Sequence, residues 1–401
     1  MKTVKYGIIG VGNMGSGHLK LFMDGSVENA VVTAIADISE LKRNKVKETY
    51  PDSNIVCYAS GEELIEKADV DAVVVAVPHY DHPRLVIQAL KKGISAICEK
   101  PAGVYTKQVK EMNAVADESN ALFTMMFNQR TNCLYRKMRE IIVSGGIGDV
   151  KRVNWIITDW YRTQSYYNSG GWRATWDGEG GGVLFNQCPH QLDLIQWVVG
   201  MSPKTVQAHC HFGKWHDIEV EDDVTAYMEY ENGATGVFIT STGDAPGTNR
   251  FEVLGTLGKL VCENNQLTYI KNKTDEREFC LTAENGFAQP ATEAIQVETD
   301  GQNPQHVGIL RNFTNALLGK EELFVKGQEG LFVKGQEGLL GVELMDAMLL
   351  SQWLGKAVEL PIDDELYLSE LNKRRATSRK KENVVETVAD LSDTYGSKKS
   401  E

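Results

Sequence analysis

The turn Gly10-Val11-Gly12-Asn13-Met14-Gly15 stands between a continuous apolar run, Val4–Ile9, and a helical pattern over 16–23. Glycines at the first, third and sixth positions, between a strand and a helix, leave few folds open to the chain. Gly10 allows the tight turn, Gly12 lets the backbone approach a pyrophosphate, and Gly15 lets the helix pack closely on the strand. Asn13 and Met14 are read with the glycines as part of this cofactor-binding turn, and the positive end of the helix that follows faces the phosphates. Asp37 follows Gly15 by 22 residues, at the end of a second strand-like run over 31–36. A carboxylate there accepts hydrogen bonds from ribose hydroxyls and repels a 2′-phosphate, which favours NAD. Lys42 and Arg43, shortly after, keep NADP as the alternative.

The pattern continues as further strands at 71–77, 94–98 and 121–126, with helices at 40–49, 62–68, 82–92 and 107–118. Buried β-branched strands alternating with helices predict an α/β Rossmann domain over 1–125, a doubly wound parallel sheet covered on both faces. Glu99-Lys100-Pro101 falls at the carboxyl end of the 94–98 strand, where open α/β sheets bind ligands, so Lys100 faces the crevice. His79 and Pro78 follow the 71–77 strand.

From 126 to 370 the periodicity changes. Strand-like segments recur at 150–161, Thr205–Phe212, 224–230, 234–240, 250–254, 260–263 and 267–270, with tight turns at 231–233 and 255–258. Helices are expected at 185–199, 304–318 and 339–354, which predicts an α+β domain with an antiparallel sheet. A polar tail follows at 371–401.

Charge and composition exclude several classes. The net charge is −13 and the chain is 42% apolar and 24% charged, so it is neither disordered nor a nucleic-acid binder. Residues 1–125 carry 14 basic against 16 acidic side chains, and 126–370 carry 20 against 34. The acidity therefore lies on the second domain, where a neutral polyol suits better than an anionic substrate. Seven cysteines without a CxxC argue against disulfides and zinc. His209, Cys210, His211 and His216 resemble metal ligands, but strand alternation separates Cys210 from the two histidines beside it, and no metal is expected. No apolar run reaches a membrane span and the start lacks a signal-peptide pattern, so a cytoplasmic protein without membrane partners is expected.

Glycine is abundant, 37 residues against 10 prolines, and its second cluster lies in the loop 168–182. This loop holds six glycines, Trp172 and Trp176, with Arg173 between the tryptophans. Aromatic faces beside a guanidinium suit a polyhydroxylated ring, whereas Trp176 is read as core. On the helix expected after it, Asn186, His190 and Asp193 stand at i, i+4 and i+7 and share one face. His190 is the side chain best suited to exchange a proton near neutral pH, with Asp193 behind it.

These motifs resemble the Gfo/Idh/MocA oxidoreductases, nicotinamide-dependent sugar and cyclitol dehydrogenases. The resemblance runs from residue 4 to about 362 and rests on four pieces. These are Gly10–Gly15, Val77-Pro78 with His82, Glu99-Lys100-Pro101, and Gly180-Gly181-Gly182-Val183-Leu184 followed by His190-Gln191-Leu192-Asp193. It implies a large, open, mostly antiparallel second sheet used to form a homodimer or homotetramer. It also implies reversible alcohol oxidation in which His190 takes the hydroxyl proton and Lys100 holds the same oxygen. By the same resemblance Pro78, His79, His82, Glu99 and Asn128 line the nicotinamide side, while Asn128, Tyr161, Trp172, Arg173 and Asn186 meet the substrate. His306 approaches from a later helix. One departure matters: many relatives carry an aspartate where this chain has Asn186, and an asparagine cannot serve as a base. A glycosidase or lyase using transient oxidation, and a non-catalytic NAD sensor, remain the alternatives.

One feature lies outside this scheme. Residues 323–330 read LFVKGQEG and 331–338 repeat them letter for letter. The second copy leads into the helix expected at 339–354, so the first is read as a duplication absorbed in the preceding loop.

Overall fold

The structure is a computed structural model that describes residues 2–321, 333–379 and 381. Its amino-terminal sheet has six parallel strands: β1 (Val4–Ile9), β2 (Ala30–Ala36), β3 (Val56–Tyr58), β4 (Ala72–Val75), β5 (Ser95–Cys98) and β6 (Phe123–Met125). Their spatial order is β3-β2-β1-β4-β5-β6. Chain direction reverses between β1 and β4, and the strand ends there open the crevice in which such sheets bind ligands. The four residues of β4 and the four of β5 are all buried, as a sheet covered on both faces requires. Only β3 escaped the sequence pattern, because it has three residues and none is buried.

The second sheet has nine strands: β7 (Val150–Ile157), β8 (Thr205–Phe212), β9 (Glu221–Glu229), β10 (Thr235–Ser241), β11 (Asn249–Gly255), β12 (Gly258–Glu263), β13 (Gln266–Asn272), β14 (Thr292–Gln296) and β15 (Val358–Glu359). Their order is β14-β13-β12-β11-β7-β10-β9-β8-β15, and every pair is antiparallel except β7 with β10. Buried and open positions alternate, as in β9, where Val224, Ala226 and Met228 are buried while Thr225, Tyr227 and Glu229 are exposed. One face is therefore core and the other is not.

Three helical features bear on the site, and the first two differ from expectation. The helix expected over 185–199 is two, Val183–Asn186 and Pro189–Val199, broken before a proline that lacks the N–H a continuing helix would need. Asn186 therefore ends one helix while His190 and Asp193 open the next, and the three do not form one helical face. Second, the helix Asp364–Arg375 runs through the expected boundary at 370, capped by Asp363, whose carboxylate accepts from the Glu365 and Leu366 amides at 3.0 Å each. The start of the expected tail is thus folded chain; residues 382–401 lie outside the described residues.

Third, the helix Gly338–Leu354 packs against β8, the Pro189–Val199 helix and the Thr106–Glu118 helix of the first domain. It is apolar on all sides because it is buried on all sides. The second octapeptide leads into it, as expected. Thr124 donates to the Val333 carbonyl at 2.6 Å, and a Cβ on Gly335 would lie 2.0 Å from the Phe123 ring. The first octapeptide lies outside the described residues.

Candidate active site

The glycine turn has the geometry its spacing implies. Gly10 has φ +85°, and a Cβ there would stand 2.3 Å from the Ala76 carbonyl oxygen. A Cβ on Gly15 would fall 1.8 Å from the Gly10 carbonyl oxygen, so helix and turn touch. At Gly12 a Cβ would meet nothing within 4 Å. The turn is closed where the chain packs on itself and open where a pyrophosphate would approach. The buried Asp37 carboxylate accepts from the Val11 amide at 2.9 Å and the Ser39 amide at 2.8 Å, which fixes it beside that turn. Arg43 donates to the Asp37 carbonyl at 2.6 Å, so its guanidinium is engaged by the backbone. These residues fit a dinucleotide with free ribose hydroxyls.

At the ends of β4 and β5 the side chains converge. His82 places Nδ1 2.7 Å from the Pro101 carbonyl and Nε2 2.8 Å from the Val77 carbonyl. Both ring nitrogens are thus occupied in clamping two strand-end turns together, which leaves neither for the cofactor contact expected of them. Pro78 caps the short 3-10 turn His79–Asp81. His79 is buried, with Nδ1 3.1 Å from the Glu179 carbonyl and its ring edge-on to Trp172 at 5.4 Å. Glu99 is buried against His18, Oε1 to Nε2 at 2.6 Å, and His306 lies edge-on to the His18 ring at 5.5 Å. Burial alone would push the Glu99 carboxyl up, but the His18 bond and the charges of His18, His306 and Lys100 hold it down at about 2.

Lys100 crosses the crevice and donates from Nζ to the Asn186 backbone carbonyl at 2.7 Å. Burial lowers its pKa, opposed by the nearby Glu99 and Glu179 carboxylates. His190 is buried beside it, edge-on to Phe127 at 6.4 Å, with Nδ1 lacking a hydrogen-bond partner. Burial, and then the Lys100 charge, take its pKa well below the ordinary histidine value. His190 is thus a neutral base at rest next to the half-buried Lys100 ammonium.

Asp193 does not support His190. Its carboxylate takes Arg130 bidentately, Nε at 2.8 Å and Nη2 at 2.5 Å, and Arg130 also reaches Glu337 at 2.6 Å. The expected histidine–aspartate pair is therefore absent: both residues lie on the helix Pro189–Val199, but the Asp193 carboxylate is taken up by Arg130. Asn128, fully buried, donates to Gln305 at 2.5 Å and keeps Oδ1 unpartnered.

The loop 168–182 wraps this cluster. Arg173 lies 4.7 Å from the ring centres of both Trp172 and Tyr166 and donates to the Tyr166 hydroxyl at 3.0 Å. That hydroxyl donates to Asn186 Oδ1 at 2.9 Å, while Asn186 Nδ2 donates to Glu179. Tyr161 is 51% exposed, and Tyr166 is the tyrosine brought to the cluster. Trp176 packs in the core on Trp353 and Phe212. Tyr166 and Glu179 were missed in the sequence. The one legible signal was Glu179 itself, a carboxylate set among four glycines. His216 bonds Asp222 and the Arg162 carbonyl, while His209 and His211 are exposed.

Comparison with known proteins decides the lineage. Residues 4–127 match the oxidoreductase family with an NAD-binding Rossmann fold, and residues 135–261 match the GFO/IDH/MocA C-terminal domain. The chain belongs to the Gfo/Idh/MocA oxidoreductases. A bovine trans-1,2-dihydrobenzene-1,2-diol dehydrogenase is 28% identical over 64% of this chain and 73% of its own length. The myo-inositol 2-dehydrogenase of Thermotoga maritima is 26% identical over 68% and 79%. Among solved structures, the WlbA dehydrogenase of Bordetella pertussis, in complex with NADH and UDP-GlcNAcA, superposes with TM-score 0.73 at 23% identity, covering 90% of this chain and all of that one. As a member of this family the chain carries an NAD-binding domain and is an oxidoreductase of sugar-like hydroxyls.

Proposed function

We propose that this oxidoreductase reversibly oxidises a ring hydroxyl of a neutral sugar, sugar derivative or inositol, with His190 as base and Lys100 as oxygen holder. The observation that carries the reading is the buried His190 imidazole, its Nδ1 unpartnered, facing the half-buried Lys100 that crosses the crevice from the end of β5. Gly10, Gly12, Asn13, Met14, Gly15 and Asp37 would hold the dinucleotide, and Asn128 Oδ1 is a free acceptor on the same side. Bound NAD supplies the acceptor for the hydride that leaves the carbinol carbon.

His190 accepts the hydroxyl proton, which its lowered pKa keeps it ready to do through neutral pH. Lys100 donates a hydrogen bond to the same oxygen and stabilises its developing charge from a fixed position, so little reorganisation is needed. Trp172 and Arg173 offer the sugar a ring face and a donor fork. The engagement of Arg43 by the Asp37 carbonyl supports NAD over NADP.

The test is an NADH absorbance screen over inositols, aldoses, glycosides and anhydrosugars. His190→Ala and Lys100→Met should each lower turnover by about 10²–10⁴ while NADH binding, read by fluorescence, is kept. Turnover retained in either variant overturns the assignment.

The reading extends to assembly. The sheet face away from the helices carries half-buried Ile156, Val237, Ile239, Leu254 and Ile270 beside the ion pairs of Arg250 with Glu252 and Glu263, a mixed surface suited to a second copy in a homodimer or homotetramer. Among the described residues no helix is long and apolar enough to cross a membrane, and a cytoplasmic location accords with seven unpaired cysteines.

A further inference from the structure

We propose that Glu179 is a positioning residue for the reacting lysine: it fixes the Asn186 residue that receives the Lys100 ammonium and supplies the negative charge that position 186 lacks. The inference rests on the roles given to Lys100 and His190 above.

Glu179 is 2% exposed, and a carboxylate so deeply buried is retained only where it is bonded and faces positive charge. One oxygen accepts from Asn186 Nδ2 and the other from the Ala174 amide at 2.5 Å. The Asn186 side chain is thereby held at both ends, by Glu179 at nitrogen and by the Tyr166 hydroxyl at oxygen. Its backbone carbonyl is the acceptor that aims Lys100 at 2.7 Å. The Glu179 carbonyl in turn receives the His79 ring at 3.1 Å, which ties the same residue to the end of β4. A single loop residue thus reaches both sides of the crevice.

The charged and titratable groups around this pair come from every element packed there. Lys100 faces Glu99 on its own strand end, Glu179 and Arg173 on the loop, and Cys188 just before the Pro189–Val199 helix. His79, His190 and His306 stand on the turn after β4 and on two helices, and each feels the Lys100 charge. Burial raises the Glu179 carboxyl, and Arg173, the bonds from the Ala174 amide and Asn186, and Lys381 from the carboxyl-terminal segment oppose that rise. Among the described residues, the carboxylates acting on Lys100 are Glu99 and Glu179, and Glu99 is already bonded to His18. Removing the Glu179 charge should therefore let Lys100 lose its proton at lower pH and slacken its aim.

The experiment needs no substrate. Trace labelling of the full-length protein with acetic anhydride over a pH series, read at Lys100 by peptide mass spectrometry, gives the titration midpoint of that lysine. In Glu179→Gln the midpoint should move down by roughly half to one pH unit, with NADH affinity within about twofold of the parent. Adding Asn186→Asp to that variant returns a carboxylate to the site and should move the midpoint back up. Glu179→Ser, small and neutral, gives the same reading if glutamine disturbs the loop. An unchanged Lys100 midpoint in a folded neutral variant overturns the proposal. Loss of Lys100 or His190 function in turnover is scored separately, so the two readings fail independently.

Discussion

Glu221 shows how much of this site is set by single buried groups. Its side chain is fully buried and one carboxylate oxygen accepts from the Gly182 and Leu184 amides at 2.7 and 3.1 Å, pinning the turn that delivers Asn186. Burial pushes its carboxyl up to about 8, against the pull of those amides. Between the ordinary carboxylate range and pH 8 the folded chain keeps this proton and the unfolded chain releases it. Stability should therefore fall as pH rises through that window, by at most about 1.4 kcal/mol per pH unit from this group. Thermal midpoints measured from pH 5 to 8.5 should decline in the parent and decline less in Glu221→Gln; parallel curves would refute the role. At this scale the sequence made legible what sits in a linear motif. Gly10, Gly12, Gly15, Asp37, Lys100 and His190 could be named because each follows a strand end or a helix start. Glu179, Tyr166 and Glu221 could not, since they meet only after a loop closes on itself and a strand passes behind it. Asp193 was misjudged for a related reason: spacing along its helix does not reveal Arg130, the partner that a distant turn brings to it.

Elements differ in legibility according to burial. β4 and β5 are buried along their whole length and announced themselves by runs of β-branched and small apolar residues. β14 is exposed throughout and β15 has two residues, so neither carries a pattern to read. The segment after the Asp364–Arg375 helix is a more consequential omission. Arg375 pairs with Asp177 at 2.9 Å, the Arg379 amide donates to Glu219 at 2.8 Å, and Lys381 donates to the Tyr167 carbonyl at 2.5 Å. Glu219 also accepts from the Trp176 amide at 2.8 Å, so the segment straps the loop that carries Trp172, Arg173 and Glu179. Composition marked these residues as a basic polar tail, and only the acidic partners beneath them give them work. A chain ending at Ala376 should keep NADH affinity and raise the KM for its sugar several-fold; an unchanged KM would mean the loop holds itself. Because the Arg379–Asp217 pair that this truncation removes is 68% and 87% exposed, added salt should reproduce part of that loss in the full chain.

For the whole molecule, the two-domain architecture was legible because each sheet type imposes its own period: unbroken apolar strands in one, alternation in the other. The joint between the domains was less so. It is made by the Gly338–Leu354 helix, which packs on the Thr106–Glu118 helix, and by the turn before it, held within the second domain by Arg130, which joins Glu337 to Asp193. Glu337 belongs to the second octapeptide, as do Gly335 and Gly338, where a Cβ would press on Phe123 and Ala102. Removing residues 323–330 should leave the melting temperature within about 2 °C of the parent, since eight residues more or less in a connection change closure entropy by well under 1 kcal/mol. Unfolding of that variant would show the duplication to be structural. Excising 331–338 instead would yield the very same polypeptide. The question of which octad is original therefore has no answer in the protein, only in its gene. What selection can see is a single bracket of one glutamate and two glycines, and any later drift in sequence should spare the octad nearer the helix while its twin decays.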